Sequence, residues 1–377
     1  MGFLDGFLGF VVPFLIVLTV LVFVHEMGHY LVARRNGVRV EVFSVGFGPE
    51  LFGWTDRAKT RWKISLIPLG GYVKMFGDLN AASMPDTRII SMPDEEREEA
   101  FPFKRLSQRV WIVAAGPLAN FLFAIVLLAG LFMIVGQPFT PAVVGGVQEG
   151  SAADLAGMEP GDQIVEIDGS TIERFEDVQW IVRAAPEEAL EIVVERDGTE
   201  VRLEAVPQRT EIEDNFGNKH EIGLLGVSRS GVEFARHGPF EASWRAVDQT
   251  FALTVGTLKA VGQMIAGTRS ADELGGPIRI AQMSGQVAET GVASLIWFMA
   301  VLSINLGLIN LFPIPMLDGG HLLFYAIEAV RGRPLGERAQ EYGFRIGLAL
   351  VLSLMVFATW NDLVHLQVFE LIKGLVT

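Results

Sequence analysis

Four long stretches of the chain carry no charged residue: 7–24, 110–136, 291–317 and 346–360. A helix of about 18 residues, rising 1.5 Å each, nearly crosses a ~30 Å hydrocarbon core. Each run therefore predicts a membrane-spanning helix, the last one shorter. Pro13 predicts a kink in the first; Pro313 and Pro315 must break the inner end of the third. Between the runs the pattern changes. Residues 61–67 and 71–75 mix β-branched and aromatic residues with glycine, so 38–77 reads as short strands and hairpins forming a small sheet against the membrane. Gly46-Phe47-Gly48-Pro49-Glu50 reads as a loop apolar enough to dip into the bilayer, and the acidic 92–99 as a solvated loop. From 138 to about 236 the chain is soluble in character, with a helix expected over 175–185 and a hairpin over 190–206 turning at Asp197-Gly198. Trp244, Val247, Phe251, Val255 and Leu258 recur at helical spacing, predicting an amphipathic helix over 240–266 that either lies on the outer membrane surface or packs in a core.

Charge gives these runs a direction. Arg34, Arg35 and Arg39 follow the first, Lys104, Arg105 and Arg109 precede the second, and Arg331, Arg333 and Arg338 follow the third. By the positive-inside rule the first and third run outside to inside, the second runs back, and both termini lie outside. Met1 to Asp5 lack the positive residues of a signal peptide, so the first run reads as a retained span. Half of the 377 residues are hydrophobic, with a mean hydropathy of +0.38, as in a membrane protein with a soluble part. The net charge of -14 argues against nucleic acid, which wants a basic footprint. With no cysteine, thiolate ligands and a cysteine nucleophile are excluded, so a metal must use histidine and carboxylate.

The chemistry-bearing stretch is His25-Glu26-Met27-Gly28-His29, at the end of the first run. A helix brings residues four apart onto one face, so both imidazoles can address one metal ion with Glu26 beside them as the base. Polar groups at the margin of an apolar span are expensive and functional by default. The charge-derived topology sets Asn120 near the inner end of the second run and Asn310 and Asp318 at the inner end of the third, at the depth of the histidines. Catalytic zinc takes three protein ligands. Asp318, after the proline-broken helix end, is the best third; His321, three residues on, is a rival that spacing does not exclude. Asn310 and Asn120 can hydrogen-bond the backbone of an extended substrate, and the strand-like region 38–77 can offer it an edge, which proline replacements in 63–66 would test.

These residues resemble the bacterial site-2 proteases, intramembrane zinc metalloproteases that include the regulator of sigma-E protease. The resemblance rests on His25-Glu26-x-x-His29, Gly116-x-x-x-Asn120, and Asn310-x-x-Pro313-x-Pro315-x-Leu317-Asp318-Gly319. The stretch Gly157-Met158-Glu159-Pro160-Gly161-Asp162 resembles a bacterial PDZ domain, whose groove would include 222–227. The resemblance implies a polytopic α-helical membrane protein of about four transmembrane helices, with a membrane-associated β region and one inserted α+β PDZ domain. The expected order is the first helix with HExxH at 1–37, the β region and loop at 38–109, the second helix at 110–136 and a periplasmic PDZ domain at 137–236. A periplasmic amphipathic region at 237–290, the third helix and LDG loop at 291–344, and the fourth helix and tail at 345–377 complete it. One zinc ion held by His25, His29 and Asp318, Glu26 as catalytic base, and substrate contacts from Asn310, Asn120, Pro313 and Pro315 are implied. So are an inner-membrane location with the active site near the cytoplasmic face, and substrates that are single-span membrane proteins: anti-sigma factors cut first by a site-1 protease, and remnant signal peptides. The one PDZ unit departs from the two of the best-known enterobacterial relatives. Other readings are a non-catalytic PDZ scaffold, or a membrane zinc peptidase with a glutamate as third ligand.

Overall fold

The computed structural model describes residues 3–78, 93–213, 219–231, 233–270 and 275–365. Helix α1 (Phe3–Arg35) is uncharged from Gly6 to Val24 and ends on Arg34 and Arg35, cations that suit a helix C-terminus. Strands β1 (Val40–Thr55) and β2 (Arg61–Met75) follow. Their turn is tied by Asp56, whose Oδ1 accepts from Ala58 and Thr60 N–H and whose Oδ2 accepts from Trp62 Nε1.

The sheet differs from the short hairpins expected. Phe43 stands opposite Val73 on one side and Trp62 on the other, so the first half of β1 lies between two arms of β2. Lys63 is likewise paired on both flanks, to Ser44 and to Gly53. Within the region 38–77 expected to offer an edge, Lys63 and Ile64 are therefore interior, and the arm 71–75 lies at a margin of the sheet. Gly46-Glu50 is not a loop but bulged strand, where Gly46 and Gly48 take φ of 89° and 87°. Phe43 stacks on Trp62 at 4.4 Å beside Tyr30, nailing the sheet to α1.

Helix α2 (Asp94–Glu99) replaces the acidic loop expected there, although Met92, at the start of that stretch, lies outside the described residues. Glu99 pairs with Arg39 at 3.3 Å. Helix α3 (Leu106–Ile134) carries the second apolar run. Next come β3 (Gln137–Phe139), β4 (Val144–Val147), α4 (Ala152–Leu155), β5 (Gln163–Ile167), β6 (Ser170–Thr171), α5 (Phe175–Ala184), β7 (Leu190–Arg196) and β8 (Thr199–Ala205). β9 (Gln208–Glu213), β10 (Lys219–Leu224), β11 (Val227–Arg229) and β12 (Glu233–Ala235) complete the β-rich part. Helices α6 (Pro239–Ile265), α7 (Pro277–Thr290), α8 (Val292–Leu311), α9 (Asp318–Arg331) and α10 (Glu337–His365) end the described chain.

The chain divides into two compact units: Leu131–Ala242 with Ala260–Ser270, and the remainder. The β-rich unit is built on a four-stranded sheet of order β6-β5-β7-β8. Its hairpin turns at Asp197 and Gly198, both at positive φ as a two-residue turn of this hand requires. Ile164, Ile167, Ile192 and Val194 lie in one apolar core under it. Four helices among the described residues are long and apolar enough to cross a membrane: Gly9–Arg35, Leu106–Ile134, Val292–Leu311 and Arg338–Val364. The fourth exceeds the 346–360 read from charge alone. Helix α7 was not anticipated; Asp362 of α10 caps it, accepting from Gly276, Ile278 and Arg279 N–H at 2.8–3.1 Å.

Pro313 and Pro315 stop α8 and turn the chain so that Asp318 opens α9. Met316 in this turn is held at φ 92°, an uncommon conformation for a side-chain-bearing residue. Arg109 of α3 then clamps α9 from below, its guanidinium meeting both Glu328 oxygens and lying over the Tyr325 ring.

Candidate metal centre

One helical turn separates His25 from His29, and both rings are buried on the face of α1 that meets α3. The residue between them makes the meeting possible. A Cβ at Gly28 would strike the Ala115 carbonyl and come within 2.7 Å of the Ala119 methyl. On α3 the counterpart is Gly116, where a Cβ would fall on His29 Nε2 and 2.9 Å from His25 Nε2. The two glycines thus leave a recess that two imidazoles fill.

Asp318 enters the recess from α9. Its Oδ2 stands 3.1 Å from His25 Nε2 and 3.4 Å from His29 Nε2, and the two nitrogens are 3.3 Å apart. One ligand atom from each residue thus meets in a group within 4.8 Å. Tetrahedral bonds of about 2.0–2.1 Å set neighbouring ligand atoms about 3.3–3.4 Å apart, so the triangle has the size a zinc ion needs. Oδ2 is buried with no hydrogen-bond partner. A buried carboxylate oxygen without a donor is costly, and a cation at the centre of the triangle removes that cost. The residues present fit a metal.

The imidazoles are oriented from behind by α3. His29 Nδ1–H donates to the Ile112 carbonyl at 2.8 Å, which leaves Nε2 as the ligand atom. Asn120 lies with its amide 3.1 Å from His25 Nδ1. Ile112, Gly116 and Asn120 are spaced by four, so one face of α3 carries the carbonyl, the recess and the amide.

Glu26 points to the other side, into a cavity of about 380 Å³ lined also by His25, His29, Tyr72, Asn310 and Asp318. The arm 71–75 of β2 runs beside this cavity, with Tyr72, Val73 and Met75 in its lining. Gly71 lets this arm come close, since a Cβ there would be 3.2 Å from Glu26 Cγ. Of the residues expected to contact substrate, Asn310 faces the cavity, while Pro313 and Pro315 form the turn before Asp318. Asn120 does not reach it: the residue is fully buried behind His25. His321 lines the cavity but rests its ring on Phe344 and stands outside the ligand group. The residue sequence reasoning missed is Ile112, which acts through a carbonyl that every amino acid has.

Two histidines one turn apart, a carboxylate closing a tetrahedral triangle and a glutamate at the rim make up the donor set of a metallopeptidase. The model of peptidase family M50 matches residues 13–354. A protein of Agrobacterium fabrum assigned as a zinc metalloprotease is 51% identical over 364 residues, covering 95% of this chain and 97% of its own. A protein of Rhizobium meliloti with the same assignment is 52% identical over 355 residues, covering 93% and 95%. Metalloprotease MmpA of Caulobacter vibrioides is 40% identical over 396 residues, covering 99% and 100%. Among solved structures, the PDZ domain of the SdrC-like protein from Listeria monocytogenes resembles 24% of this chain and 88% of its own, at 16% identity and a TM-score of 0.19, too slight a likeness to support an argument. The chain belongs to peptidase family M50, the site-2 proteases, and is a membrane-bound metalloendopeptidase.

Proposed function

We propose that the protein is an intramembrane zinc endopeptidase that cuts within the transmembrane segments of single-span membrane proteins. The carrying observation is the triangle of His25 Nε2, His29 Nε2 and Asp318 Oδ2 beside Glu26 in one cavity. One zinc ion fits it, and when bound it supplies a Lewis acid that polarises a carbonyl and acidifies water toward a pKa of ~7. Glu26 accepts the proton of the attacking water and delivers it to the departing amine. Asn310 hydrogen-bonds the substrate backbone, and the turn made by Pro313 and Pro315 holds Asp318 at the centre.

A helical substrate hides its carbonyls in its own hydrogen bonds, so it must unwind before attack. The arm 71–75 of β2 borders the cavity, and among the described residues no strand pairs with its outer side. An unwound segment adds to that edge as a further strand. The substrates are anti-sigma-type proteins already shortened by a site-1 protease, and remnant signal peptides. The β-rich part, 137–236, serves as a periplasmic PDZ domain, supported by the order of its strands and helix. The Arg and Lys flanking the apolar helices support a catalytic site near the cytoplasmic face of the inner membrane and periplasmic termini.

The test is zinc analysis and cleavage of a model transmembrane peptide by the detergent-solubilised chain and its Glu26→Gln variant. Both are expected to hold one zinc, and the variant to be slower by about 10²–10⁴-fold. A parent chain without zinc, or a variant as fast as the parent, overturns the reading.

A further inference from the structure

Asn120 is a polar side chain beside the site that the chemistry above leaves without a task. It is fully buried in the middle of an apolar helix, where an amide is retained only if it is bonded. Its surroundings are built. Ser303 Oγ donates to its backbone carbonyl at 2.8 Å, and Gly307 of α8 lies close enough that a Cβ would be 3.3 Å from Asn120 Cβ. Helix α8 thus presses the residue onto α1.

The amide meets His25 at the nitrogen facing away from Asp318. Nδ2 is placed 3.1 Å from Nδ1, and Oδ1 is buried without a donor. An N–H of the amide facing Nδ1 needs a lone pair there, which puts the ring hydrogen on Nε2, the atom aimed at Asp318. A ring that gives Nε2 to a metal has its hydrogen on Nδ1 and needs an acceptor. Oxygen and nitrogen of an amide are told apart by their partners. Turning the Asn120 amide over brings Oδ1 onto Nδ1–H and supplies the missing donor to the orphaned oxygen. For His29 the same task falls to the Ile112 carbonyl.

We propose that Asn120 is a positioning residue: its amide oxygen, accepting from His25 Nδ1–H, fixes the tautomer and rotation that present Nε2 to the metal. The inference rests on the zinc reading of the site. A residue that only packs α3 against α1 would tolerate an isosteric apolar side chain. A positioning residue needs an acceptor, and loss of such a partner costs about 10–100-fold in metal affinity.

The experiment compares the full chain with Asn120→Leu, which keeps the volume, and Asn120→Asp, which keeps the acceptor. The readouts are zinc affinity by competition with a chromophoric chelator, the visible spectrum of the cobalt(II)-loaded chain, and the unfolding temperature without metal. Asn120→Leu is expected to bind zinc at least tenfold more weakly with an altered cobalt spectrum, and Asn120→Asp to stay within about threefold of the parent. Both are expected to unfold without metal at the parent's temperature. Should the leucine variant not accumulate, Asn120→Ala takes its place, with the same loss of zinc affinity and cobalt-spectrum change expected and a lower unfolding temperature from the cavity it leaves. Parental zinc affinity in the leucine or alanine variant overturns the proposal, and so does an aspartate variant as weak as they are. His25→Ala in the same titration tests the zinc reading separately: that reading fails if His25→Ala binds zinc like the parent, whatever Asn120 does.

Discussion

Asp162 and Asp318 are both carboxylates withdrawn from solvent, and they are treated in opposite ways. Asp162, at the start of the sheet in the β-rich unit, is supplied with donors. Arg196 Nε meets Oδ1 and Nη2 meets Oδ2, each at 2.7 Å, and the Glu159 N–H adds a third bond at 2.9 Å. Asp318 directs Oδ2 at two imidazole nitrogens and has no hydrogen-bond partner for it. Burial penalises both charges alike, so the difference lies in what faces them. A buried carboxylate ringed by donors is part of the scaffold; one aimed at other ligand atoms is completed by a cation.

The largest effect that can break this contrast is at Asp318. Asp318→Ala is expected to abolish stoichiometric zinc and lower peptide cleavage by at least about 10³-fold, because two imidazoles alone leave the ion under-coordinated. Metal analysis and cleavage assay read it. Retained zinc would assign the third ligand elsewhere, with His321 the nearest alternative. Asp162→Ala should do the reverse: zinc stays, and the β-rich unit loses on the order of 2 kcal/mol, the cost of removing the acceptor of charge-assisted hydrogen bonds. Hydrogen exchange of the β5 and β7 amides in the whole chain measures that loss.

A second pair sharpens the contrast at the glycines. Gly116→Ala puts a methyl where His29 Nε2 now lies, so the rings must turn and zinc affinity should fall by at least about tenfold. Gly28→Ala meets backbone, not a ring: its methyl strikes the Ala115 carbonyl, and the α1–α3 crossing must open. Overpacking of this kind costs about 1–3 kcal/mol, so Gly28→Ala should lower the unfolding temperature of the metal-free chain more than Gly116→Ala does. Equal losses of zinc affinity and equal thermal shifts in both would mean the recess is not built for the imidazoles.

The parts of the molecule that were legible in the sequence are those written in side-chain identity at short range. Hydrocarbon accepts only apolar residues, so the spans of α1, α3 and α8 stand out as runs without charge. His25 and His29 are joined by the helical repeat alone. Asp318 was found through the prolines before it, which announce a broken helix that returns a polar residue to the core. What was hidden depends on partners far along the chain. Lys63 is interior because Ser44 and Gly53 flank it, and no local pattern tells which arm of a sheet is outermost. Gly46 and Gly48 look like a loop but shape a bulge in β1. Helix α7 carries scattered polar residues and a glycine; it is held by the Asp362 cap and by Gly285 packed on Phe10. Asn120 was recognisable as an amide in need of a partner, but only the fold sets that amide 3.1 Å from His25 Nδ1.

The smallest expected effect is a pH dependence confined to Asp162. The hydrogen-bonding Arg196 guanidinium holds its carboxyl below the usual value of 3.8, against the pull of burial. A depressed pKa in the folded state means that protonation favours unfolding. The stabilisation is therefore complete above the unfolded value of about 4 and is lost as pH falls through it towards the lower folded pKa. Protection of the β5 and β7 amides, with intrinsic exchange rates divided out, should hold level from pH 7 to about 5 and decline below about 4. Asp162→Asn should flatten that decline in these strands, because an amide has no proton to gain. An unchanged acid decline in the variant would mean that Arg196 does not hold this carboxylate as a charge, and the two aspartates would differ less than their surroundings imply.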